Sequence, residues 1–214
     1  MTVVRSSADR GGAVDALLWR WVDHVDRNGE MGMRRPEWFA QAGELALAEE
    51  VTWFGMTTSG GWYHGDLPAG LSKAPVYAGY SWHQQESGPP VARAGIVVVP
   101  LADPDRIAAA EWSDEYGGYE PAPVDGYAVL CSSPFDPVTG GDRAAGVALG
   151  EARRIIAAGD AEGRRANYAE IVTDPDRGGN ALFFPVAGEE REGYEAVEPD
   201  GTIVCLCFIA YDFV

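Results

Sequence analysis

The chain has 214 residues, 46% of them apolar, which is enough to bury a substantial core and excludes a disordered polymer. Its 33 Asp and Glu outnumber 16 Lys and Arg, for a formal charge of −17. That balance excludes a nonspecific nucleic-acid binder working by phosphate neutralisation, and it disfavours an anionic membrane surface.

Met1 to Gly12 holds no apolar stretch of seven residues, so no secretory signal is read and a cytoplasmic location is expected. Between Asp9 and Asn28, Val14, Leu17, Leu18, Trp21, Val22 and Val25 recur at spacings of three and four, predicting an amphipathic helix closed near Asn28-Gly29. Pro36 suits a first helical position, and Trp38, Phe39, Ala42, Leu45 and Ala46 extend a helical stripe to Glu49. Val51 to Thr58 is short and rich in β-branched and aromatic residues, a strand. Ser59 to Pro75 has no period and is expected to be a long loop, where sites are often found.

Strands follow at Val76 to Trp82 and at Val91 to Leu101, where Ile96-Val97-Val98-Val99 has the unbroken apolarity of a central strand. Asp103-Pro104 starts a short helix through Trp112, and Ser113 to Asp125 is an acidic connection. The tetrapeptide Asp-Pro-Asp-Arg occurs at Asp103 and again at Asp174, and is read as turn and cap chemistry rather than a duplicated site. Tyr127 to Cys131 is a buried strand, and Asp142 to Ala158 a helix with Val147, Ala148, Ala152, Ile155 and Ile156 on its apolar face. Tyr168 to Val172, Ala181 to Val186, Tyr194 to Val197 and Thr202 to Phe213 are separated by turn signals, as in an antiparallel meander.

The order of elements does not repeat as βαβ, so the expected fold is α+β: a largely antiparallel sheet ending in a C-terminal β-meander, with three to four helices packed on one face. Residues 1–214 form a single domain in this reading, with a helical part, 1–50, packed on a sheet part, 51–214. The longest apolar run, Ile203 to Tyr211, is too short for a membrane helix. Cys131, Cys205 and Cys207 cannot all pair, and Cys205 and Cys207 would share one strand face, so all three are read as reduced core residues.

Two of the three histidines lie near carboxylates, in His64-Gly65-Asp66 and His83-Gln84-Gln85-Glu86. Imidazole with carboxylate suits a metal or a general base, so His64, Asp66, His83 and Glu86 are the catalytic candidates, with no metal or other cofactor assigned. No phosphate loop, dinucleotide fingerprint or serine-nucleophile elbow is present. Trp62 and Tyr63 on the expected loop, with Trp82 at the next strand end, are candidates for stacking a sugar or flat ligand beside a cleft. Asp103 to Asp125 and Glu189 to Asp200 are strongly acidic and imply two anionic surfaces, whereas Arg143, Arg153, Arg154, Arg164 and Arg165 form a basic island.

Asn180-Ala-Leu-Phe-Phe-Pro185, a glycine-containing turn, Tyr194, Asp200-Gly201 and a last apolar strand closing in Asp212-Phe213 resemble the ending of an uncharacterised bacterial family, the domain of unknown function numbered 4241. The resemblance implies an α+β meander and no catalytic residue. Gly188-Glu-Glu-Arg-Glu-Gly193 stands where that family has a Gly-Trp-Gly-Asp-Gly-like turn.

With so large a negative charge and no strong catalytic motif, the leading expectation is a non-enzymatic, immunity- or inhibitor-like binding protein that engages a basic protein. The alternatives are a metal-assisted enzyme built on the histidines and a small-molecule or glycan binding module built on the aromatic loop.

Overall fold

The computed structural model describes residues 16–20, 22, 35–47, 52–54, 61–63, 70–113, 126–132, 141–176, 178–188 and 190–211. Their strands are β1 (Trp38–Ala46), β2 (Thr52–Phe54), β3 (Gly61–Tyr63), β4 (Lys73–His83), β5 (Val91–Pro100), β6 (Glu111–Ser113), β7 (Tyr127–Ser132), β8 (Ala169–Asp174), β9 (Gly179–Pro185), β10 (Glu190–Val197) and β11 (Ile203–Tyr211). Helix α1 spans Pro104–Ala109 and α2 spans Gly141–Glu162.

The strands form two antiparallel sheets rather than one. Six are ordered β1-β4-β5-β11-β10-β6 and five β3-β2-β7-β9-β8. Alternation along each strand explains why both sheets need two covers. Val76, Ala78, Val97, Val99 and Leu206 of the larger sheet pack against Leu130, Leu182 and Phe184 of the smaller one, so the main core lies between the sheets. The outer face of the larger sheet, with Ile96, Val98, Cys205, Cys207 and Ile209, is covered by Leu17, Leu18 and Val22 of the N-terminal helical residues and by Ile107 of α1. The outer face of the smaller sheet, with Val129, Ala181 and Phe183, is covered by Ala148, Ala152 and Ile156 of α2. Helical residues therefore lie on opposite outer faces, which corrects the expectation of helices on one face. Val147 is 68% exposed and falls outside the α2 stripe predicted to include it.

The predicted second helix is strand β1. Its residues pair with β4 from Trp38↔Tyr80 to Ala46↔Lys73, with a bulge between Gln41 and Glu44. Gly43 supplies the left-handed conformation there, with φ at +76°. The extra residue shifts the strand's phase, so that Ala42 and Leu45, three positions apart, both face the core. A bulged strand thus imitates helical spacing.

Three further expectations differ. The expected loop from Ser59 to Pro75 contains β3, paired with β2, and the first residues of β4. The C-terminal meander is divided, because β8 pairs with β9 in the smaller sheet while β10 pairs with β11 in the larger. Helix α1 stops at Ala109, short of Trp112, which lies on β6. Its cap follows the sequence: the Asp103 carboxylate accepts from the N–H groups of Asp105 and Arg106, each at 3.1 Å. Among the described residues no helix is long and apolar enough to cross a membrane.

Candidate functional site

His83 ends β4 opposite Val91, and its Nε2 lies 3.3 Å from the Ser81 hydroxyl two residues back on the same strand face. Glu86 is exposed in the connection between β4 and β5, while His64 and Asp66 lie outside the described residues. Among the described residues no three His, Cys, Asp or Glu side chains group as a metal site. Trp62 and Tyr63 sit on β3 opposite Trp53 and Thr52, so a strand carries them instead of a loop. Trp82 belongs to the other sheet and packs on Trp38, with ring centroids 5.1 Å apart.

Trp38 is the centre of a structural cluster. The Arg165 guanidinium lies 4.5 Å from its ring centroid, and the Tyr80 ring stacks at 6.1 Å. The buried Tyr80 hydroxyl donates to the Asn167 carbonyl at 3.3 Å, and burial raises its pKa well above the ordinary tyrosine value. Beside it, Arg93 of β5 holds Asp160 of α2 in a two-pronged pair at 2.9 and 3.0 Å. Because α2 covers the smaller sheet and β5 belongs to the larger, this pair ties one outer layer to the opposite sheet. The cluster reads as a clasp, since its charged groups and the Tyr80 hydroxyl are occupied within it, while Oδ1 of Asn167 is buried with no hydrogen-bond partner among the described residues.

A cleft of about 480 Å³ opens between the β1 bulge and the turn joining β8 to β9. Asn180 forms its floor. This buried side chain donates from Nδ2 to the Glu44 carbonyl at 2.7 Å and to Oε1 of Glu170 at 2.8 Å, and its Oδ1 accepts from the Ala46 N–H at 2.8 Å. Glu44, Glu170 and Lys73 stand in the wall, with the backbones of Gly43 and Gly178. Trp82 is not among the described residues that line this cleft. Sequence reasoning missed these residues because Asn180 and Glu44 are 136 positions apart and carry no recognisable motif.

The described parts of the two acidic stretches meet on a single edge of the larger sheet. Strand β6 pairs with β10, placing Glu111 opposite Val197. Arg106 of α1 donates from Nε to Oε1 of Glu198 at 2.8 Å and from a terminal nitrogen to Oε2. That contact holds the Glu198 carboxyl below its ordinary pKa, whereas neighbouring Asp200 and Asp103 oppose the shift. Asp200 is also lowered, chiefly by the N–H it accepts from Thr202. Asp103, Glu198 and Asp200 thus gather around one cation, with Asp105 on α1 and Glu111 on β6 in the adjoining elements. Of the basic island, Arg154 pairs locally with Glu151, Arg164 pairs locally with Glu162, and Arg165 lies over Trp38.

No family model matches this chain, and no curated protein or solved structure matches it either.

Proposed function

We propose that this chain is a non-enzymatic acidic binding protein of the cytoplasm, immunity- or inhibitor-like, that engages a basic protein through the β6 edge. The supporting observation is the convergence of two sequence-distant acidic stretches, around Asp103 to Glu111 and Glu198 to Asp200, onto the rim of a terminal strand with Arg106 as the local cation. Such a field speeds encounter with a positive partner and weakens as salt rises. A short, acid-flanked edge strand also resists pairing with another copy of itself. The C-terminal resemblance to the domain of unknown function 4241 belongs to the same proposal and brings no activity with it.

A defined basic probe tests the reading. Fluorescence anisotropy of a labelled oligolysine is measured at about 25 mM and about 300 mM salt, where the Debye length falls from roughly 20 Å to under 10 Å. The triple variant Asp105→Asn, Glu111→Gln, Asp200→Asn is compared with Glu151→Gln, Glu162→Gln, Asp176→Asn, which removes equal charge elsewhere. Binding lost at low salt only in the first variant is the expected result. Equal losses, or no salt-dependent binding by the native chain, overturn the assignment of this edge.

A further inference from the structure

The cleft below the β1 bulge is separate from the β6 edge, since β1 and β6 terminate opposite sides of the larger sheet. Its volume of about 480 Å³ falls within the size of ordinary small-molecule sites. Among the described residues, three charged side chains stand in its wall: Glu44, Glu170 and Lys73, the chain's single lysine. None of the three forms an ion pair with a described residue.

Glu170 is more than a surface carboxylate. Its Oε1 is held by Asn180, which is only 6% exposed and is itself fixed to the β1 backbone on either side of Leu45. Its Oε2 faces Gly43, where even a β-carbon would approach to 3.4 Å. One oxygen therefore anchors the side chain and the other lies beside Gly43, on a residue that is exposed as a whole. Such fixed orientation lowers the entropy cost of binding.

The lining narrows the ligand class. Among the described residues it contains no aromatic ring on which a sugar or base could stack. Among the described lining residues two carboxylates stand against one ammonium, a balance that opposes a phosphate or other multiply charged anion. They suit a ligand ammonium, while Lys73 supplies a counter-charge for a carboxylate on the same molecule. We propose that this cleft binds a small zwitterion of the free amino-acid class, with its ammonium on Glu170 and Glu44 and its carboxylate toward Lys73.

Each common free L-amino acid, supplied singly at about 10 mM, is the probe in a thermal-shift series, because a ligand that binds only the folded chain raises Tm by mass action. Those that raise Tm are then titrated by calorimetry. At least one should bind, and its N-acetyl form, which lacks the ammonium, should bind about ten-fold more weakly or worse. Glu170→Gln and Lys73→Met should each weaken it by a similar factor, whereas Glu151→Gln on α2 should not. Glu170→Gln retains an oxygen for Asn180, and Lys73 is exposed, so an unliganded Tm near the native value is expected for both; if the first fails to fold, the second decides. The proposal fails if no free amino acid raises Tm, if the N-acetyl form binds equally well, or if binding survives Lys73→Met unchanged.

Discussion

Asn167 crosses so close to Gly159 of α2 that a β-carbon on the glycine would lie 2.1 Å from its Oδ1. The carboxamide cannot easily withdraw, because its Nδ2 donates to Asp160 Oδ1 at 2.8 Å and to the Ile156 carbonyl at 3.1 Å. Glycine inside a helix ordinarily costs about 0.5–1 kcal/mol relative to alanine. Here that cost is outweighed by the space it leaves. Gly159→Ala should destabilise by about 1–3 kcal/mol in urea unfolding, the usual range for overpacking. Gly150 lies on the same helix, and a β-carbon added there would meet nothing within 4 Å. Gly150→Ala should therefore stabilise by about 0.5–1 kcal/mol. Equal signs for the two substitutions would contradict the packing described.

The Arg93–Asp160 pair, each side chain 19% exposed, should behave as a partly buried charge pair. Arg93→Met leaves Asp160 with Asn167 as its remaining donor and should cost about 1.5–3 kcal/mol, the range for hydrogen bonds to charged groups. A double-mutant cycle with Asp160→Asn should show coupling of about 1 kcal/mol or more. Additive losses would mean that the clasp between layers contributes nothing specific.

Arg106 lowers the Glu198 pKa, and the sign of the pH dependence follows. A depressed carboxyl contributes stability above its unfolded pKa, and that contribution is lost as pH falls through the folded value. In Arg106→Gln the remaining neighbours, Asp200 and Asp103, both act to raise it. NMR titration should then place Glu198 higher than in the native chain. An unchanged titration curve would show that the pair does not persist in water.

Cys205 and Cys207 are free, buried thiols whose pKa values are raised by burial. The thiolate is the reactive form, so neither should react with an aromatic disulfide reagent in the native state. Mass spectrometry should find both unmodified until denaturant is added. Prompt native labelling of either would mean that the outer face of the larger sheet opens readily.

Where one residue's type decides its neighbours, the sequence could be read directly. Ile96 to Val99 is the apolar run of a strand flanked by β4 and β11, and Asp103 caps α1 as its position suggests. Where a distant partner decides, it could not. The three-residue step between Ala42 and Leu45 reads as helix until pairing with β4 shows a bulge at Gly43. The divided meander arises because β9 completes one sheet and β10 the other, a choice that no turn residue between them encodes. Among candidate site residues, His83 and Trp82 fall at a strand end as expected, but the cleft depends on Asn180 touching Glu44 across 136 positions.

The Asn180 carboxamide has one more consequence, for how the molecule behaves among its own copies. At the end of β1 it donates to one backbone carbonyl and accepts from the N–H two residues on, the same pair of bonds that another strand would make. A terminal strand with free backbone groups is a template for extension by a second chain and, in the limit, for fibril growth. One side chain occupies the Glu44 to Ala46 end of that template from within, so there a single amide stands in the place of an incoming strand.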